Sequence, residues 1–165
     1  MSIPLTFIAI EKVYASWEQN GDKIYSRNEM ATRYALIDPV LRSLGWDTED
    51  SSMVRVHDRL KNGKRPDYTL FKNGDQVAFV EAKYWWKIST LKKLSNITVD
   101  KVFSQLETYR KPNNIHIGVL TDGGAWWVFD FTNKKTSRNP LRIDFGDGNF
   151  REAARQFQQI SRRKL

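Results

Sequence analysis

The chain has no cysteine and only two histidines among its 165 residues, and each shortage removes a class of chemistry. Without thiols there is neither a disulfide framework nor a thiolate metal site. His57 and His116 stand far apart in strand-like runs, which speaks against a histidine-based zinc site. Long apolar runs are missing as well, since no segment approaches the roughly 20 apolar residues of a membrane span. The opening MSIPLTFIAIEKVY has no basic leader, and Glu11 and Lys12 interrupt its short apolar run, so a secretory signal is not expected and the reading is a cytoplasmic protein. The only Gly-Lys, Gly63-Lys64, lacks the glycine five residues earlier that a phosphate-binding loop requires, so no ATP site is expected. Acidic residues are the minority. The 27 Lys and Arg against 19 Asp and Glu leave a net charge of +8 and a pI near 9.7. In a small domain that surplus favours a polyanionic partner, nucleic acid before membrane, although a basic soluble protein without such a partner has the same charge count.

What is present is enough apolar matter to fold: 40% hydrophobic and 13% aromatic residues, on a length suited to a single domain over residues 1–165. Residues 5–19 carry Phe7, Ile10, Val13, Tyr14 and Trp17 at helical spacing, and Asn20-Gly21 reads as the stop, followed by a polar connection to Asn28. A second helix is predicted from about Asn28 to Leu44, with Ala31, Tyr34, Ala35, Ile37, Val40, Leu41 and Leu44 inward and a kink or break at Asp38-Pro39. A strand over 52–57, two hairpin strands over 67–71 and 76–83, a helix from Thr98 to before Pro112, strands over 115–120 and 125–131, a short strand LRIDF and a helix over 149–162 complete the order. The residues 84–97 show no clear period. The order suggests an α/β fold with a mixed sheet flanked by helices. Its core would span about 26–132, preceded by an N-terminal helix and followed by a C-terminal strand and helix.

The chain is organised around RPDYTLFKNGDQVAFVEAK, residues 65–83. Asn73-Gly74 is a strong hairpin signal, because both residues tolerate positive φ. Glu81 and Lys83 are two apart and share a strand face. Whether Asp67 joins them depends on register. A plain two-residue turn at Asn73-Gly74 sets Asp67 opposite Val80 and sends the two acids to opposite faces. A three-residue loop with Gly74 left-handed, or a bulge between Asp67 and Glu81, brings them to one face. One of these two is predicted.

The residues 26–132 resemble the PD-(D/E)xK nucleases, and are similar in particular to the N-terminal nuclease domain of type I restriction enzyme motor subunits. The resemblance rests on the helix NEMATRYALIDPVLRSLGW, on Pro66-Asp67, on Glu81-Ala82-Lys83, on the QxxxY element from Gln105 to Tyr109, and on the hairpin TDGGAWWVFDF. It implies a restriction-endonuclease-like core in which Asp67, Glu81 and the Ala82 carbonyl bind Mg2+, with Mn2+ as a substitute. Lys83 would orient or activate the attacking water, and Glu29 would add a ligand or water contact. Gln105 and Tyr109 would support the site and touch the DNA backbone. Residue by residue a plainer reading stands beside each. Glu29 fits a capping box with Ser26, Asp67 and Glu81 could be hairpin surface charges, and Gln105 and Tyr109 could be helix-margin packing.

The chemistry asks for these groups on its own account, since phosphodiester hydrolysis needs charge neutralised on phosphate oxygens and a hydroxide at neutral pH. The basic loops, including Lys64 and Arg65, would contact phosphates, and Trp85, Trp86, Trp126 and Trp127 could stack on unpaired bases, with the core favoured for at least one of each pair. The restriction subunits continue into a helicase motor that this sequence lacks, so a stand-alone nuclease or one with a separate partner is expected. Three functions compete: a DNA endonuclease, for which cutting both strands would favour a homodimer, a non-cutting nucleic-acid-binding module of the same fold, and an assembly protein with a basic surface.

Overall fold

The computed structural model describes residues 3–25, 28–83, 104–110, 114–132 and 139–165. Helix α1 (Ile3–Asn20) buries Ile10 and Val13, and Phe7, Tyr14 and Trp17 pack partly buried against the same cluster. It does not stop at Asn20-Gly21. The chain passes into a π turn, Gly21–Tyr25, that buries Tyr25 where a polar connection was expected. Gly21 serves close approach and not a left-handed cap: a Cβ there would stand 2.6 Å from the Trp17 indole nitrogen.

The second helical stretch has three parts: α2 (Glu29–Thr32), a π turn (Arg33–Ile37) and α3 (Asp38–Ser43). Its N-cap is Asn28, whose Oδ1 accepts the Ala31 amide at 3.0 Å, so Glu29 is not half of the expected capping box. Ser26 lies outside the described residues. The predicted break at Asp38-Pro39 takes the form of the π turn. A proline ring clashes with the carbonyl four residues back, and here the ladder widens so that the Asp38 N–H reaches Arg33 O. The extra residue rotates the rest of the helix about its axis. Leu36 and Ile37 are fully buried, whereas Tyr34, expected inward, is 68% exposed.

Among the described residues six strands form one sheet in sequence order: β1 (Val54–Val56), β2 (Tyr68–Lys72), β3 (Asp75–Ala82), β4 (Ile117–Thr121), β5 (Ala125–Asp130) and β6 (Leu141–Asp144). All neighbours are antiparallel except β3 and β4. A parallel pair needs a long crossover, and the helical residues 104–110 lie within it; the predicted start of that helix near Thr98 lies outside the described residues.

Alternation along β3 separates two cores. Ala78, Val80 and Ala82 join the larger cluster with α1, α3 and the C-terminal helix α4 (Phe150–Phe157). Phe79 joins Leu106, Tyr109, Leu120, Trp127 and Phe129 on the other face. Trp126 is fully buried and Trp127 nearly so, one in each core, so both are packing residues and neither is free to stack on a base. Trp85 and Trp86, and the basic runs Lys92-Lys93 and 134–138, lie outside the described residues.

Helix α4 is capped by Asn149 and gives way to a 3-10 turn at Gln158–Ile160, short of the predicted Arg162. Two hydrogen bonds draw the chain away to the end of α3: the Trp46 indole to Ile160 O at 2.8 Å, and the Arg162 amide to Leu44 O at 3.0 Å. Among the described residues no helix is long and apolar enough to cross a membrane.

Candidate active site

Asn73 and Gly74 have φ of 54° and 87°, giving a two-residue turn in which Lys72 faces Asp75. The three-residue loop is therefore not formed, but the bulge is. Phe71 faces Gln76 while Leu70 faces Ala78, so Val77 is the extra residue. Above the bulge Tyr68 faces Val80, and the same register sets Asp67 opposite Glu81. The two acids share a face, the one that carries Phe79 and the 104–110 helix. They are 7% and 6% exposed, so they are not surface hairpin charges.

Each carboxylate is held by several donors. On Glu81, Oε1 accepts from Lys83 Nζ at 2.6 Å and from Gln105 Nε2 at 2.8 Å, and Oε2 accepts from the Tyr109 hydroxyl at 3.1 Å. Gln105 Nε2 also reaches the Tyr109 oxygen at 2.8 Å. The i, i+4 spacing of Gln105 and Tyr109 puts both on the helix face that looks at β3. Tyr109 is at once core and site: its ring meets Phe79 edge-on at 5.3 Å, and burial, with Glu81 nearby, pushes its hydroxyl up to about 12, so it remains a donor at neutral pH.

On Asp67, Oδ2 accepts the Ala82 amide at 2.8 Å, and Oδ1 lies 3.5 Å from Arg33 Nη1 and 3.7 Å from His57 Nδ1. Glu29, in the first turn of α2, stands close enough for its carboxyl to be raised, by burial first and by Asp67 and Glu81, with Lys83 and Arg33 pulling the other way. The structure thus brings Asp67, Glu81, Ala82, Lys83, Gln105 and Tyr109 together through hydrogen bonds, with Glu29 near enough to feel the charges of Asp67 and Glu81. Lys64 and Arg65 lie on an exposed loop turned by Gly63 (φ 78°). Asn62 ties that loop to the 104–110 helix through Thr108 O, placing it beside the element that carries Gln105.

Four residues at the site escaped the sequence reading. Arg33 and Asp38, both buried, meet at Tyr68: its hydroxyl accepts from Arg33 Nε at 3.2 Å and donates to Asp38 Oδ1 at 2.6 Å. Burial alone would lower the Arg33 pKa, yet Tyr68 and the carboxylates of Asp67 and Asp38 lift it above its ordinary value. His57, with φ of 51°, extends the β1–β2 ladder by donating its amide to Asp67 O at 3.1 Å. Only the β1–β2 register could have shown that His57 stands beside Asp67.

The donors are carboxylate and backbone oxygens, a set that suits a hard divalent cation. Among the described residues no three of the His, Asp and Glu side chains converge closely enough to hold a metal ion alone. A cation would therefore draw on two carboxylates, a carbonyl and water, as Mg2+ commonly does.

The family model of the type I restriction enzyme R protein N terminus matches residues 54–137, just over half of the chain. The span takes in Asp67, Glu81, Lys83, Gln105 and Tyr109, and begins after Glu29 and Arg33. No curated protein matches, and no solved structure does.

Proposed function

The chain belongs to the family of type I restriction enzyme R protein N termini, a nuclease-like domain with a restriction-endonuclease-like sheet, and from that premise we propose that it is a metal-dependent DNA endonuclease. The observation that carries the reading is the bulge at Val77, which turns Asp67 and Glu81 to one face with Lys83 Nζ 2.6 Å from Glu81. Asp67 and Glu81, with the Ala82 carbonyl, would hold Mg2+ or Mn2+, and Glu29 would reach it through a water. Such an ion, when bound, supplies a Lewis acid for the phosphate oxygens and a hydroxide at neutral pH. Lys83 would orient the attacking water and face the developing charge, which an ammonium does without competing as a ligand. Gln105 and Tyr109 fix the Glu81 carboxylate, and Lys64 and Arg65, exposed on their loop, would meet backbone phosphates.

A second reading has its own support. Every carboxylate oxygen of Asp67 and Glu81 already has a partner within the chain. A nucleic-acid-binding module that does not cut would need nothing more.

The test is incubation of the protein with linear, circular, single-stranded and branched DNA in Mg2+, Mn2+ or EDTA. Cleavage that needs the metal, and is lost in Lys83→Ala while DNA binding survives, is the expected result. Binding without cleavage of any substrate would establish the silent module instead.

A further inference from the structure

Arg33 is 5% exposed, lies outside the span matched by the family model, and spends its whole guanidinium on the site. Its Nη1 contacts His57 Nε2 at 2.8 Å and Asp67 Oδ1 at 3.5 Å, its Nη2 donates to Asp67 O at 3.4 Å, and its Nε donates to the Tyr68 hydroxyl. The fork thus grips Asp67 by both side chain and backbone. A buried arginine is costly unless every donor is matched, and a lysine could not match this pattern.

The aim of that fork is set by the π turn. In a regular α-helix, residues five apart point about 140° away from each other. A π turn closes on the fifth residue and stacks the two side chains on one face. Asp38 donates its backbone N–H to Arg33 O in this way, and the Asp38 carboxylate and the Arg33 guanidinium then take the Tyr68 hydroxyl from opposite sides. Tyr68 comes directly after Asp67 on β2, so the helix fixes the strand at the residue next to the site.

We propose that Arg33, aimed by the π turn and locked through Tyr68 to Asp38, is the positioning residue that holds the Asp67 carboxylate in line with Glu81. The proposal rests on the reading of Asp67 as a site carboxylate, and its consequence is specific. Arg33 is buried and cannot reach DNA, so it acts on turnover through Asp67 and leaves substrate binding alone.

The test uses the full chain with Arg33→Gln and Tyr68→Phe, the second removing only a hydroxyl and serving if the first fails to fold. Hydrogen exchange is monitored at the Ala82 amide, which donates to Asp67 Oδ2, against the Val119 amide in the neighbouring strand. Release of Asp67 should speed Ala82 exchange by roughly threefold to tenfold, the range for a lost hydrogen bond, with Val119 unchanged. Unaltered Ala82 exchange in folded variants overturns the proposal. Where the protein cleaves DNA, kcat should fall with KM for DNA unchanged, and a rise in KM at constant kcat overturns it equally. A wild-type protein that cuts nothing would sink the nuclease reading, and the amide measurement would still decide the role of Arg33.

Discussion

At the residue scale the site is a set of acids kept together by internal cations and donors. Lys83 and Gln105 hold one Glu81 oxygen and Tyr109 the other. Tyr109→Phe keeps the ring against Phe79 and removes one of these donors. It should cost about 1 kcal/mol, a fall of roughly 2–4 °C in melting temperature for a chain of this size, and cleavage should fall with it. Glu29 behaves oppositely. Its raised carboxyl binds a proton more tightly in the folded chain than in the unfolded one, so its contribution to stability is present below the ordinary 4.5 and lost as pH rises through the folded value. Glu29→Gln should therefore melt on the order of 1 °C higher at pH 7, a small gain because the group is partly solvated, and show none near pH 4. Equal shifts at the two pH values would contradict a Glu29 carboxyl raised by burial and by its acidic neighbours.

At the element scale the hairpin and the helix each depend on one irregularity. The Asn73-Gly74 turn starts the hairpin, and the bulge at Val77 sets the acids. Gly74 has φ of 87° with open space around it, so Gly74→Ala should cost only backbone strain, about 1 kcal/mol, and spare the site. Gly123 has the same φ, but a Cβ there would stand 2.5 Å from Leu36 Cβ. Gly123→Ala should cost about 1–3 kcal/mol beyond that, because the turn and the π-turned helix would have to separate. Comparable denaturant midpoints for the two variants would contradict this packing. The same elements divide the legible from the illegible in the sequence. Parity along the strands was enough to require a bulge or a longer loop, since Asp67 and Glu81 share a face only then. Pro39 signalled a break, but not that the break would be a π turn that exposes Tyr34 and buries Leu36. Arg33 was invisible because its partners, Asp38 and Tyr68, come into reach only through that turn and through the packing of helix on strand.

At the scale of the whole molecule, strand order matches sequence order, with one parallel pair where a long connection allowed it. A mixed sheet flanked by helices was legible from the order of the elements, whereas which strands lie side by side, and that β3 and β4 run parallel, was not. Of the tryptophan pair at 126–127 the sequence favoured core for at least one, and both prove to be core because each face of β5 is covered. The net charge of +8 should be visible as DNA binding that weakens linearly in log affinity with log salt. Lys64→Ala and Arg65→Ala, on the exposed loop beside the 104–110 helix, should each reduce that slope by about 1. Slopes unchanged in both variants would place the DNA elsewhere on the surface.

On the proposed function, Asp67 and Glu81, brought to one face by the bulge, form a site for a divalent cation. Titration of the full chain with Mn2+, monitored by calorimetry, tests it most directly. The wild-type protein should bind Mn2+, Mg2+ should compete, and Asp67→Asn and Glu81→Gln should each abolish the binding in folded protein. Binding that survives both substitutions, or a wild-type chain that takes up no Mn2+, would contradict it.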